Sequence, residues 1–454
     1  MGSAGFERVS SLMRVIGSIY FLNKLLSANR RGLLRYPILV SRISVAEHKQ
    51  RVKKVQELAK KRGLDAVLAY SDRRYSMGQG VESGQHIRYF VGFRMPAREI
   101  QQGVPFVPYQ HFPSVVVIPQ EGDPGLILSN QEADLIRRVR DQVWISDIRT
   151  TSEQYIDDRE AGFAKIAKEI LGSQARPKKI GIAGTAASYT FYLELAKTFS
   201  GTKFEECSRE VDMLRVIKSP DELRILREAA FIADEGVRAL IATSNPGVRE
   251  YEVHQAVEKA MFDSGGDNPW SVIQSGPRSA MSYLSPDYTQ RKLVAGDLIY
   301  ADIGSELMGY HSDIQPAYIV EKKGTARQRK LIRTSLEMLK AMVGATRPGT
   351  TDTDLVRAAY RVLKKSPFVP FVRTWTFGHG YGVGSDYPDL TGATLNLPKK
   401  EQMALRENMH LCYEPGIFVP GLGGAAVEDQ VLVTKDGCEV LTKCGDRAQE
   451  LLSN

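Results

Sequence analysis

The chain has 454 residues with 43% hydrophobic content, enough to build two packed cores. Its net charge of +8 is misleading as a whole: residues 1–46 hold seven Lys or Arg against the single acid Glu7, which leaves about +2 for the body and no nucleic-acid footprint. The four cysteines, Cys207, Cys412, Cys438 and Cys444, show no CxxC pair and no dense spacing, which argues against a disulfide framework and for buried thiols in a reducing compartment.

The basic leader, residues 1–46, places Leu12, Val15, Ile16, Ile19 and Leu26 at helical spacing. An amphipathic helix of this kind suits a membrane surface, an organellar presequence, or docking on protein. The expected location is cytoplasmic, with organellar import the alternative that the leader raises. No later stretch approaches the ~18 apolar residues of a membrane span.

Residues 47–212 alternate helix and strand, as an α/β domain does. An amphipathic helix should run from Val45 to Gly63, followed by a buried strand, DAVLAYSD. RYFVGF, HFPSVVVIP and GLILS read as strands, and QEADLIRRVRDQ as a helix. AGFAKIAKEILG (helix), KKIGIAG (strand) and TFYLELAKTF (helix) complete the domain. GIAGTAAS lacks the spacing of a dinucleotide site. Loops at 76–85 and 96–108, rich in Gly, Pro and Gln, could reach a site elsewhere.

Residues 213–454 read as α+β: helices at 220–243 and 249–263, a strand at 271–275, then GDLIYADIGSELMGYHSDIQ, a strand, turn and strand carrying Asp302 and Asp313. Helices at 326–344 and 353–364 follow. Acids in apolar strands are costly unless a cation answers them, and no Lys or Arg lies within 296–315. FGHGYGVGSD then wraps His379 in glycines, CYEPGIF ends an apolar run with Glu414, and AAVEDQVLVT opens a strand with Glu428. Four carboxylates and one imidazole form an oxygen-rich set able to hold two divalent ions of the Mn, Fe, Co or Zn type.

GDLIYADIG…GYHSDI, GHGYGVG, EPGIF and VEDQVLVT resemble the pita-bread metallopeptidase family, which includes methionine aminopeptidase, prolidase, aminopeptidase P and creatinase. The resemblance spans about 216–433, and IKSPDELRILREAAFIAD is similar to the helix that opens the catalytic domain in the prolidase and creatinase branch. It implies a creatinase-like N-terminal domain over 47–212 and a pita-bread catalytic domain over 213–454, with metals in the hollow of a curved sheet. It implies that Asp302, Asp313, His379, Glu414 and Glu428 are the metal ligands. It implies as well a small-molecule or short-peptide substrate and a homodimer. Metal-activated water would be the nucleophile, with Glu414 shuttling its proton.

Around that shell the chain departs from the family. Tyr283 stands where a His is expected seven residues after the Ser-Gly turn, and Asp386 where one is expected seven residues after His379. TWTFGHG lacks a further His, and Ala426 replaces an Arg two residues before Glu428. Three readings stay open. The leading one is a dinuclear-metal hydrolase of an amide or Xaa-Pro-like C–N bond. The second is a lyase of the dimethylsulfoniopropionate-cleaving type, with Asp386 as base and Tyr283, Trp375, Tyr381 and Tyr387 walling a cationic group. The third is a non-catalytic binding protein. Arg278 could bind a substrate carboxylate or brace its turn, and His311 could face substrate or solvent.

Overall fold

Short apolar runs alternating with amphipathic stretches build the first sheet of the computed structural model. It describes residues 43–71, 85–92, 114–128, 140, 143–151, 159–172, 176–184, 187–281, 288–321 and 323–453. The leader through residue 42, the loops at 76–84 and 96–108, the run at 131–142 apart from Arg140, and Tyr283 lie outside the described residues.

Helix α1 (Val45–Arg62) starts where the Ser44 hydroxyl accepts from the Glu47 N–H, and it ends on Gly63, whose φ of 63° is the left-handed C-cap glycine accommodates. Strand β1 (Ala66–Ser71) is buried at every residue. It is followed by α2 (Gln85–Val91), β2 (Ser114–Pro119), β3 (Gly125–Leu128), β4 (Asp147–Thr150), α3 (Arg159–Ile170), β5 (Lys179–Ala183), α4 (Tyr189–Thr198), β6 (Lys203–Glu206) and α5 (Ser208–Asp212). The sheet order is β4-β3-β2-β1-β5-β6, with β1 antiparallel to β2 and parallel to β5. Arg88 to Val91 of RYFVGF, expected as a strand, belong instead to helix α2, whose last turn closes on Gly92 at φ 76°. A short run of continuous apolar residues has no period with which to separate a buried helical turn from a buried strand.

The second half begins with a capping box, Ser219 and Glu222, ahead of α6 (Pro220–Thr243), which packs on α7 (Glu250–Asp263). Strand β7 (Asp267–Ser275) then pairs with β8 (Leu298–Leu307), and β8 turns through Met308 and Gly309 into β9 (Tyr310–Ile314). Both turn residues have positive φ, 54° and 82°, the backbone a two-residue hairpin of right-handed twist requires. Beyond β10 (Ala317–Ile319), α8 (Ala326–Ala345) and α9 (Asp352–Leu363) come β11 (Gly378–Tyr381), β12 (Ser385–Leu390), β13 (His410–Tyr413), β14 (Gly416–Val419), β15 (Gly423–Ala426), β16 (Asp429–Val433), β17 (Cys438–Val440) and α10 (Cys444–Ser453). They form a five-stranded sheet, β12-β11-β13-β16-β17, and the ribbon β14-β15. Two backbone bonds of 2.9 Å join this sheet to the hairpin, Glu428 N to Gln315 O and His311 N to Gly382 O. The acids lie along that seam. Among the described residues, no helix is long and apolar enough to cross a membrane.

Candidate metal centre

Asp313 stands opposite Gly304 in the β8–β9 ladder, and Asp302 is two residues from Gly304, so both acids project from one face of the hairpin. His379 sits between Gly378 and Gly380. A Cβ at the first would strike the Cys412 carbonyl and at the second the Tyr387 carbonyl, so glycine is what lets β11 close against its neighbours. Glu414 follows β13 and Glu428 precedes β16, and the Tyr413–Asp429 pairing sets them side by side.

These strands bring the five side chains together. His379 Nε2 lies 3.5 Å from Asp313 Oδ2 and 3.7 Å from Glu414 Oε1. One donor atom each from Asp313, His379 and Glu428 fall within 4.8 Å of one another. Gln315 Nε2 donates to Asp302 Oδ2 at 3.1 Å and to Glu414 Oε2 at 2.9 Å, which ties Asp302 to the same knot. All four carboxylates are at most 2% exposed.

Burial pushes Asp313 above the usual carboxylate range, with Glu414 adding to the rise and His379 opposing it. Burial also drives Glu428 well above its ordinary value, assisted by Asp313, Glu414 and Asp302. At His379 burial opposes the charge, yet Asp313 and Glu414 outweigh it and raise the imidazole to about 9. Both oxygens of Asp313, both of Glu428 and Nε2 of His379 are buried without a hydrogen bond. The unbonded oxygens of Asp313 and Glu428, gathered around the His379 imidazole, suit a cation with oxygen and nitrogen ligands, for which the imidazole would give up its proton. Atoms bonded to one ion at 2.0–2.2 Å span at most about 4.4 Å, close to the spread seen here. The residues therefore fit a divalent metal.

Residues 224–435 match the family described as "Metallopeptidase family M24", and residues 51–217 match "Creatinase/Prolidase N-terminal domain". The Xaa-Pro dipeptidase of Pyrococcus furiosus is 32% identical over 61% of this chain and 76% of its own length. The chain belongs to metallopeptidase family M24. Within the family it falls on the prolidase branch, with the two-domain pita-bread fold. The prolidase of Pyrococcus horikoshii OT3 superposes with a TM-score of 0.69 at 25% identity, covering 87% of this chain and 98% of that one. An Escherichia coli aminopeptidase P shares the fold at 18% identity, with a TM-score of 0.68 over 91% of this chain and 99% of that one. As an M24 member the protein is a metallopeptidase-family hydrolase, and M24 enzymes depend on divalent metal.

The expected residues outside the five divide sharply in this M24 chain. Asp386, expected as a base in the lyase reading, is instead the centre of a buried ion triad. Its Oδ1 accepts from Arg215 Nε at 3.0 Å and its Oδ2 from Lys218 Nζ at 2.5 Å. Burial alone would raise its pKa, but Lys218 and Arg215 together hold it below the ordinary value, which makes it a poor proton acceptor. Arg278, offered for a substrate carboxylate, has its Nε 3.3 Å from the buried Glu250 and braces the turn after β7. His311 is fully buried, 3.5 Å from Arg88 Nη1 and stacked on Tyr381, so it does not face solvent. Tyr381 is 1% exposed and lies edge-on to His379 with centroids 5.0 Å apart. Trp375 is 57% exposed and stacks on Arg373.

Arg373, Gln315 and Thr376 were not singled out in the sequence. Arg373 Nη2 donates to Glu414 Oε2 at 2.6 Å, and the Thr376 hydroxyl to Glu414 Oε1 at 2.7 Å. A guanidinium thus does stand at the centre, entering from the segment before His379 rather than from position 426. The signal was faint: an Arg and a Thr in polar positions just ahead of the glycine-flanked His.

Proposed function

We propose that the protein hydrolyses the amide bond of small dipeptide-like substrates, Xaa-Pro among them, at a pair of divalent ions held by Asp302, Asp313, His379, Glu414 and Glu428. The observation that carries this reading is the convergence of four buried carboxylates on one imidazole, with both oxygens of Asp313 and of Glu428 lacking a hydrogen bond. The ions, when bound, would supply Lewis acidity and lower the pKa of a water molecule. The chain's own groups do the rest. Gln315 fixes Asp302 relative to Glu414, while Arg373 and Thr376 fix both oxygens of Glu414. Glu414 Oε1, on the side of His379, is the atom placed to take a proton from the attacking water and pass it to the leaving amine. Burial of the four carboxylates keeps bulk water from screening them.

The Xaa-Pro dipeptidases and prolidases among the relatives support this substrate class. The lyase reading loses its base, since both oxygens of Asp386 are engaged by cations. Metal-free protein loaded with Mn, Fe, Co or Zn salts should release proline from Xaa-Pro dipeptides, bind two ions per chain by elemental analysis, and lose both properties as Asp313→Ala. Release of dimethyl sulfide from dimethylsulfoniopropionate, with every dipeptide left intact, would overturn the proposal.

A further inference from the structure

Helices α8 and α9 are joined by six residues and pack side by side. The inner face of α8 supports the strands beside two of the candidate ligands. Its Ser335 hydroxyl donates to Pro415 O at 2.8 Å and accepts from Val427 N at 2.9 Å, next in sequence to Glu414 and Glu428. Outside, the two helices enclose a groove of about 650 Å³. Lys330, Arg333 and Glu337 line it from α8, and Arg361 and Lys365 from the end of α9. The spacing i, i+3, i+7 on α8 and i, i+4 at α9 turns these charges to one side of each helix. All five are exposed, and among the described residues none has a side-chain ion pair or hydrogen bond. Exposed cations elsewhere on the domain do find acids: Arg227 meets Glu439, and Lys259 meets Asp263.

The positive charge of the body is concentrated here. Residues 326–366 hold ten Lys or Arg against three acids, a net +7, although residues 47–454 as a whole carry about +2. The rest of the body is therefore acidic, at about −5. Four like charges gathered around one groove repel, and an anionic occupant removes that cost. The groove follows α8 from Lys330 to Ala341, about 17 Å at 1.5 Å per residue, the span of about five residues of extended peptide. We infer that this groove docks an extended acidic peptide segment of a partner protein. Asp or Glu side chains of the segment meet Lys330, Arg333, Arg361 and Lys365, and Glu337 accepts one of its backbone N–H groups. A single nucleic-acid strand fits less well. Its phosphodiester backbone offers Glu337 no N–H, and none of the described side chains lining the groove is aromatic, so bases find no ring to stack on. The inference does not rest on the hydrolase reading.

Fluorescence anisotropy of a fluorescein-labelled hexaglutamate peptide, titrated with the full-length protein at low ionic strength, tests it. Arg333→Ala/Arg361→Ala should weaken binding about five- to tenfold, the loss of two exposed ion pairs, and Lys330→Ala/Lys365→Ala should repeat that loss. Lys53→Ala/Lys54→Ala removes the same charge from exposed positions of α1 and should leave binding within about twofold. Equal losses in the groove variants and the α1 variant would assign binding to net charge, the basic leader included, and overturn the inference. A labelled hexathymidylate bound as tightly as the peptide, or no binding of hexaglutamate by the wild type, would overturn it too. Proline release plays no part in this readout, so failure of either reading leaves the other standing.

Discussion

Replacing Asp386 by Asn separates an anchoring role from a catalytic one. The side chains of Asp386, Arg215 and Lys218 are 1%, 2% and 0% exposed, so the substitution leaves Lys218 without its anion and Arg215 with Asp212 alone, at 2.7 Å, while changing almost no volume. Breaking a buried ion pair in this way costs about 3–5 kcal/mol, far more than the loss of one neutral hydrogen bond. Urea denaturation of the full chain, followed by far-UV circular dichroism, should show a destabilisation of that size. The sign of its pH dependence is fixed as well. The folded pKa of Asp386 lies below the unfolded one, so its stabilisation is complete above the unfolded value of about 4 and fades as the pH falls through the lower folded value. The gap between wild type and Asp386→Asn should therefore narrow in acid. Adding Lys218→Met should recover part of the loss, because one orphaned cation goes with it. A catalytic base would behave oppositely, with turnover falling about 10²–10⁴-fold at unchanged stability. An unshifted urea midpoint together with lost turnover would refute the anchoring argument.

Other expectations follow from single groups. The Tyr381 hydroxyl is buried without a hydrogen bond, so Tyr381→Phe should leave thermal stability unchanged or raise it by up to about 1 kcal/mol, and a loss of that size would reveal a partner. Glu428→Gln removes a buried carboxylate whose charge burial and three neighbouring acids oppose. The metal-free variant should be about 1–3 kcal/mol more stable than metal-free wild type, yet gain little from added Zn²⁺ or Mn²⁺ in a thermal-shift titration. His48, lowered to about 4 by burial and Arg51 against a hydrogen bond to Tyr89 O, is held neutral in the fold. Its folded pKa is below the unfolded 6.5, so the stability it lends is full above 6.5 and is lost as pH falls toward 4, by about 3 kcal/mol. Urea midpoints on either side of that window should differ less in His48→Gln by roughly this amount.

Much of the architecture was legible because its signals are local. Ser44 and Gly63 frame α1 by capping chemistry, and the run from Pro220 to Thr243 has its box residues at Ser219 and Glu222. The hairpin of β8 and β9 was readable as a strand, turn and strand, with Met308 and Gly309 at the turn. The failure at RYFVGF has the same origin: helix and strand differ there only in what α2 packs against, including the bond from Trp144 Nε1 to Phe90 O at 2.9 Å, and no local pattern carries that.

The site was legible to the extent that its chemistry is improbable elsewhere. Carboxylates at Asp302, Asp313, Glu414 and Glu428 inside apolar sequence are costly without an answering cation, and the family resemblance turned that cost into an expected ligand set. Arg373 and Asp386 could not be separated by such reasoning, because each is a charged residue beside a glycine-rich loop and only the tertiary pairing decides its role. Asp386 is satisfied by Arg215 and Lys218, which lie 171 and 168 positions away in sequence, and so leaves the chemistry. Arg373 finds Glu414 across 41 positions and joins it. Ala426, buried against Val272, Tyr300 and Phe418, stands where the resemblance leads one to expect a guanidinium, and Arg373 brings that charge from the segment before β11.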